Sequence, residues 1–279
     1  MNIFFFGSSS FAAQDLVNDL DIKHNTYFFS RKKNKQVKKN HFFYFDLNKK
    51  KLRLCKSIKL KKIDYLFFFS SYVPIKEEES SWKQCKNTNV HGLINLLMNL
   101  KLPIKKIIFA SSCSLYGHNK KINIEDSFLK PSSGYSLSKY MQENILRIYS
   151  QNNNISFLSY RLGYVYGKKM KKQRLVKKFL LNYKKKKFKV YNKNLNLNLI
   201  HTKDISNLIV KTFEKAEGVF NLTSPVKTTI EYFYNTLLGK KNKIINKKNN
   251  YSSRKFFKKF PKLKIPKLEK RIKDFVNEI

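Results

Sequence analysis

Lys106-Ile107-Ile108-Phe109-Ala110-Ser111-Ser112-Cys113-Ser114-Leu115-Tyr116-Gly117, followed after a polar loop by Gly134-Tyr135-Ser136-Leu137-Ser138-Lys139, is the stretch on which the fold turns. The short apolar run reads as a buried strand that delivers serines to its carboxyl end. The second segment opens an amphipathic helix over Ser138 to Tyr149, with Met141, Ile145, Leu146 and Tyr149 on its apolar side. In an open α/β sheet the ligand crevice lies outside the carboxyl ends of the strands, so hydroxyls delivered there face a ligand rather than the core. The Tyr-x3-Lys spacing carries little by itself. With 16 Tyr and 59 Lys+Arg in 279 residues, about three such pairs arise by chance. Six occur, starting at Tyr72, Tyr116, Tyr135, Tyr164, Tyr183 and Tyr251. Only Tyr135 combines the start of a convincing helix with a serine-bearing strand end upstream.

Ser-Ser-x-x-Leu-Tyr-Gly at 111–117 and Tyr-x3-Lys at 135–139 resemble the extended short-chain dehydrogenase/reductase family, the NAD-dependent epimerase/dehydratase group of nucleotide-sugar epimerases, dehydratases and reductases. The resemblance runs from Met1 to about Leu222 and thins afterwards. It implies an α/β fold, a Rossmann doubly wound parallel sheet with a small C-terminal substrate lobe. Residues 1–167 with 196–222 are expected to form the NAD(P)-binding domain, and 168–195 with 223–279 the lobe.

Asn2 to Phe6 reads as a first buried strand and Phe11 to Leu20 as the helix after it. In the family the loop between them is Gly-x-x-Gly-x-x-Gly, which lets backbone approach the pyrophosphate at a helix amino end. Here Gly7 is kept, Ser10 and Ala13 hold the other two places, and Phe11 follows. Thr26 to Phe29 is the second strand, ending at Ser30-Arg31 where NAD-preferring relatives place an acid. A serine and a cation suit a 2′-phosphate, so NADP is favoured over NAD. Phe42 to Phe45 is the third strand, and Asp46-Leu47 resembles the pair beside the adenine, although Asp46 equally suits a turn. Ile63 to Phe69 is the fourth strand, followed by Ser70-Ser71, where the family carries small residues against the nicotinamide ribose and phosphates, so Phe69 and Ser70 are expected at the cofactor. A helix from about Ser81 to Leu100 carries Asn89 of an Asn-Val-x-Gly-like segment, which the resemblance assigns to supporting the cofactor site.

Within the loop before Tyr135, Glu125 and Asp126 read as substrate-facing acids or as capping and solvated residues. Arg161 to Gly167 resembles Arg-x-x-Asn-Val-Tyr-Gly, with Tyr164 in place of the asparagine. A basic helix is expected near Lys171 to Tyr183, then a Lys184–Lys187 run and a short strand at Phe188 to Tyr191. Leu197 stands where many relatives carry a phosphate-gripping arginine. His201 reads as structural and Asp204 as the cap of a helix over Ile205 to Lys215. Gly218 to Leu222 is a returning strand. Helices are expected near Thr229 to Leu238 and Lys267 to Val276, with a polar, partly mobile Lys/Asn segment between.

The formal charge of +41 and pI near 10.1 attract anionic ligands. Lys, Asn, Ile, Phe and Tyr share A/T-rich codons, and the lysines spread along the whole chain, so biased composition accounts for the charge better than a dedicated nucleic-acid face. Cys55, Cys85 and Cys113 have no paired spacing, which argues against a disulfide framework or a zinc site. Neither a signal peptide nor a membrane span is expected, and the cytoplasm is the expected compartment.

The resemblance assigns Ser112, Tyr135 and Lys139 to catalysis. Tyr135 as phenolate takes a proton from a sugar hydroxyl, Lys139 favours the phenolate and holds the nicotinamide ribose, and Ser112 stabilises charge at the reacting oxygen. Relatives that remove water place Asp-Glu just after the serine. Cys113-Ser114 stands there instead. The expected function is a sugar-nucleotide epimerase, with an NADPH-dependent keto-sugar reductase as one alternative and an RNA- or polyanion-binding family member as another. A homodimer through the Tyr135 helix is implied by the resemblance.

Overall fold

The structure is a computed structural model and describes every residue except 34–36, 38–40, 50–57, 118–120, 185–194, 227, 241–249 and 278–279. The phenylalanine-rich runs form the centre of a parallel sheet. Strands β1 (Asn2–Phe6), β2 (Asn25–Ser30), β3 (Phe42–Tyr44), β4 (Ile63–Phe68), β5 (Ile104–Ser112), β6 (Ser156–Leu162) and β9 (Gly218–Leu222) lie in the order β3-β2-β1-β4-β5-β6-β9. Every pairing in it is parallel. The chain leaves β3 at one edge and returns to lay β4 on the far side of β1, so strand order reverses between β1 and β4. That reversal opens a crevice at the carboxyl ends.

Alternation along each strand sends side chains to two cores. Phe5, Phe28, Phe67, Tyr65 and Ile108 pack under α1 (Leu16–Lys23) and α6 (Thr202–Thr212), through Leu16, Val17, Leu208 and Ile209. Phe4, Phe6, Phe29, Phe68 and Phe109 pack on the other face under α3 (Gly92–Asn99) and α4 (Gly134–Asn152), through Leu93, Leu96 and Leu146. Strands buried on both faces need no polar alternation, which is why they read as unbroken apolar runs. Rings stack across strands, with centroids 5.4 Å apart for Phe5 and Phe67 and 4.6 Å for Phe6 and Phe29.

A third core joins the remaining elements. Strands β7 (Tyr164–Tyr166) and β8 (Leu199–His201) pair in parallel. Tyr166 and Leu199 meet Phe179 of α5 (Leu175–Lys184), Phe233 of α7 (Ile230–Leu237), and Ile272 and Phe275 of α9 (Leu268–Asn277). A helix missed in the sequence, α8 (Arg254–Lys259), turns Phe256 into the sheet core instead. That part of 223–279 therefore packs with the Rossmann layer and not with the lobe expected to contain it.

Several boundaries differ from expectation for physical reasons. The expected helix over Phe11 to Leu20 is a 3-10 turn, Phe11–Ala13, followed by α1. The expected helix over Ser81 to Leu100 is α2 (Glu79–Gln84), a π-helical turn over Cys85–His91, and α3, with Gly92 N donating to Asn87 O. Asp204 does not cap α6. His201 does so, its Nδ1 accepting from Lys203 N at 3.2 Å. Asp204 instead faces Arg271 of α9, with guanidinium contacts of 2.9 and 2.5 Å. Most of the Lys184–Lys187 run, the expected strand at Phe188 to Tyr191 and the core of the Lys/Asn segment lie outside the described residues.

Truncating Arg271 to Ala would leave the buried Asp204 carboxylate without its guanidinium and loosen α9 from α6. Arg271→Ala should lower stability by about 3 kcal/mol, read as a shift in the urea midpoint. An unchanged midpoint would refute this role for the pair.

Candidate functional site

β5 is flanked by β4 and β6, and its last residues, Ser111 and Ser112, register with Arg161 and Leu162. Ser112 caps a short 3-10 turn over Cys113–Tyr116, its Oγ accepting from Ser114 N at 3.1 Å and lying 2.9 Å from Ser114 Oγ. Ser111 is buried, and its hydroxyl has no partner among the described residues. α4 begins with a capping box between Ser133 and Ser136, which fixes where the helix starts. Gly134 is required there, since a Cβ would meet the Trp82 ring at 2.7 Å. Tyr135 and Lys139 then project from the first turn and a half onto one side.

All three side chains line one cleft of about 750 Å³ at the carboxyl ends of the sheet. Lys139 is 2% exposed. Its ammonium donates to Ala110 O at 2.5 Å and Ser71 Oγ at 3.1 Å, and lies 4.1 Å from the Phe109 ring centroid. Burial moves its pKa down to about 7, opposed by the Glu143 carboxylate. Burial likewise pushes the Tyr135 phenol up to about 12, opposed first by a hydrogen bond with Ser112 and then by the Arg174 guanidinium.

A hydrogen-bonded wall holds these groups. Ser71 Oγ donates to Gln142 Oε1 at 3.0 Å, and Gln142 Nε2 donates to Asn89 O at 2.8 Å. Asn89 is wholly buried. Its amide donates to Tyr72 O and to Ser138 Oγ, and its Oδ1 accepts from Tyr72 N. Asn89, expected to support the cofactor site, stands behind the cleft and holds its wall. Beneath α4, Glu143 and Arg161 form a buried ion pair at 2.6 Å.

The opposite end of the cleft, where the cofactor residues were expected, is equally built. Gly7 has φ +92, and a Cβ there would meet Phe69 C and Ser70 N at 2.6 Å. Gly7, Ser10, Phe11, Arg31, Asp46, Leu47, Phe69 and Ser70 all line the cleft. The glycine cradle, the Ser111 hydroxyl and the size of the cleft fit a nicotinamide dinucleotide. Ser30 also lines the cleft, but its hydroxyl lies 3.0 Å from Ser8 Oγ and donates to Lys32 O at 2.7 Å. Asp46 accepts from Asn48 N at 3.0 Å in a turn.

The sequence model of the NAD dependent epimerase/dehydratase family matches residues 5–223. The chain belongs to that family. A relative, an uncharacterised protein of Methanocaldococcus jannaschii, is 27% identical over 203 residues, 70% of this chain and 61% of its own length. The chain thus spans less than two thirds of that relative. A UDP-glucose 4-epimerase with UDP-glucose from Thermotoga maritima superposes with TM-score 0.81 at 19% identity, covering 100% of this chain and 98% of that one. A Thermus thermophilus UDP-glucose 4-epimerase complex with NAD gives 0.80 at 18% identity, covering 100% and 98%. The Rossmann fold expected from the sequence is the fold of these structures.

Against this family background the acids of the long loop are accounted for. Glu125 is buried, its Oε1 accepting from Asn221 N at 2.8 Å, and Asp126 is exposed outside the cleft. Cys113 donates its thiol to Arg161 O at 3.1 Å and burial raises its pKa. Cys113 and Ser114 place no carboxylate beside Ser112. Leu197 and Tyr164 line the cleft as expected for their places. Arg174 was not singled out in the sequence. It lines the cleft and donates to Pro74 O at 2.9 Å, bridging the loop after β4 to the start of α5.

Lys139 has a consequence for stability. Its folded pKa of about 7 lies below the ordinary 10.5, so between those values the unfolded chain holds a proton that the folded one has released. The stability Lys139 contributes rises with pH across that window, and Tyr135 opposes it only above its ordinary 10.0. Lys139→Met removes the burial penalty on the charge. Its stability advantage over the wild type should be largest below pH 7 and narrow towards pH 10, measured by urea denaturation across pH. A gap independent of pH would refute the buried ammonium.

Proposed function

We propose that this chain is a nucleotide-sugar epimerase that works with a nicotinamide dinucleotide through Ser112, Tyr135 and Lys139. One observation supports it above the rest: β5 and α4 bring these three side chains to the same open cleft as the Gly7 cradle. The dinucleotide, when bound, supplies the hydride chemistry. Tyr135, once ionised, takes the proton of the sugar hydroxyl at the reacting carbon. The Ser112 hydrogen bond and the Arg174 charge favour that phenolate, and Ser112 holds the reacting oxygen as charge develops on it. Lys139 would hold the ribose of the dinucleotide. An open cleft also favours the enzyme over a polyanion-binding protein built on a blocked one. The main competitor is net reduction of a keto-sugar, which uses the same residues but consumes reduced cofactor.

The preference for NADP rests on Arg31 alone, because the Ser30 hydroxyl is spent on Ser8 and Lys32. The two-lobe division is proposed with residues 254–265 returned to the Rossmann layer. Exposed apolar side chains lie along α4 at Leu137, Tyr140, Met141 and Ile148, and α3 carries two more, Ile94 and Met98. They support a homodimer through these helices. No helix among the described residues is long and apolar enough to cross a membrane.

Tyr135→Phe should reduce turnover of a UDP-sugar by about 10²-fold or more while leaving NADH and NADPH binding unchanged in fluorescence titrations. Full activity would sink the mechanism, and stoichiometric cofactor oxidation by the wild type would select the reductase. NADPH binding no tighter than NADH would overturn the NADP preference. Sedimentation should show a dimer that Met98→Glu splits, and a wild-type monomer would rule the dimer out.

A further inference from the structure

A second cavity, of about 690 Å³, lies beside the main cleft and shares only Tyr251 with it. Its frame is held by two backbone hydrogen bonds and one from a side-chain amide. Asn123 N donates to Asn250 O at 2.8 Å, Ser252 N donates to Asn123 O at 2.9 Å, and Asn221 Nδ2 donates to Ser252 O at 3.1 Å. Tyr251 itself stacks on Tyr116, with ring centroids 5.6 Å apart. The walls are thus fixed by a bridge between residues 123 and 251 and by the sheet edge at β9.

The lining has two characters. Tyr251 and Phe257 present rings. Arg254, Lys258 and Lys264 present cations, and no acidic side chain is among the described lining residues. Ser253 is 4% exposed and lines the cavity, and its hydroxyl makes no cap bond to α8. Lysines on a solvated face ordinarily stand apart over polar surface. Here cations from two segments surround a concave, ring-lined volume in the ordinary size range of ligand sites.

We propose that this cavity is a second ligand site, for a phosphate ester that carries a flat ring. The phosphate meets Arg254, Lys258 and Lys264, a guanidinium and two ammonium groups that bind such an oxyanion with charge-assisted hydrogen bonds. The ring lies against Tyr251 and Phe257. Nothing in this assignment depends on the chemistry proposed for the main cleft.

The probe is 4-methylumbelliferyl phosphate, titrated by fluorescence into the full chain with saturating NADH present, at low and at high salt. One saturable equivalent that persists in high salt is expected, because charge condensation on a basic surface is screened there. The double variant Arg254→Ala/Lys258→Ala should weaken it by about tenfold or more, and the uncharged 4-methylumbelliferone should bind far less well. Both substituted residues are exposed, and an unchanged melting curve checks the fold. Arg31→Ala, which alters the main cleft, should leave probe binding unchanged. Absence of saturable binding, equal affinity in the double variant, or loss in Arg31→Ala would each overturn the site.

Discussion

Arg161 sits at the junction of nearly everything that shapes the cleft. From β6 its guanidinium grips Glu143 of α4 at 2.6 Å, donates to Tyr116 Oη at 2.8 Å and to Glu125 O at 2.9 Å, while its own carbonyl accepts the Cys113 thiol. Tyr116 Oη passes the chain of bonds to Asn221 on β9. One side chain thereby ties two strands, the helix that carries Tyr135 and Lys139, and the loop that follows Ser112. A buried ion pair of this kind adds little net stability against an apolar replacement, but removing one partner strands the other. Its contribution here is positional. It sets where α4 lies against β5, and with it the place of Lys139.

That placement puts the catalytic candidates in tension with their surroundings. Burial disfavours both the Lys139 ammonium and the Tyr135 phenolate. The site therefore holds two groups whose charged forms are each raised in energy until something charged or polar joins them. Pre-organised dipoles and charges around a reacting atom act most strongly in such water-poor surroundings. The Ser112 hydroxyl and the Arg174 guanidinium each offset part of that cost for the Tyr135 phenolate.

Much of this was legible in the chain. The phenylalanine runs announced strands because residues buried on both faces leave no polar interruption, and Ser112, Tyr135 and Lys139 stood out by their context. What stayed hidden depended on distant partners. Ser30 looked free to meet a phosphate until Ser8, brought alongside by strand pairing, took its hydroxyl. Asn89 kept its supporting role but lost its place in the cleft, because the π turn aims it at Tyr72 and Ser138. α8 was masked by its own lysines, whose charges concealed the one ring, Phe256, that the sheet core takes in. Arg174 was lost in a background of cations, although a signal existed. In a chain so rich in lysine, each arginine departs from the composition, and Arg161, Arg174 and Arg271 all make directed contacts that a planar guanidinium serves better than an ammonium.

The π-helical turn at Cys85–His91 fixes the rotational phase of everything that follows it in the helix. Such a turn amounts to one extra residue accommodated within an α-helix. With 3.6 residues per turn, deleting it would swing everything downstream by roughly 100°. Leu93 and Leu96 would leave the core, Gly92 would no longer meet Leu47, and Asn89 would let go of the loop that carries Ser71. The extra residue thus sets the phase of α3 against the sheet and the aim of Asn89 together, so neither can be changed without the other.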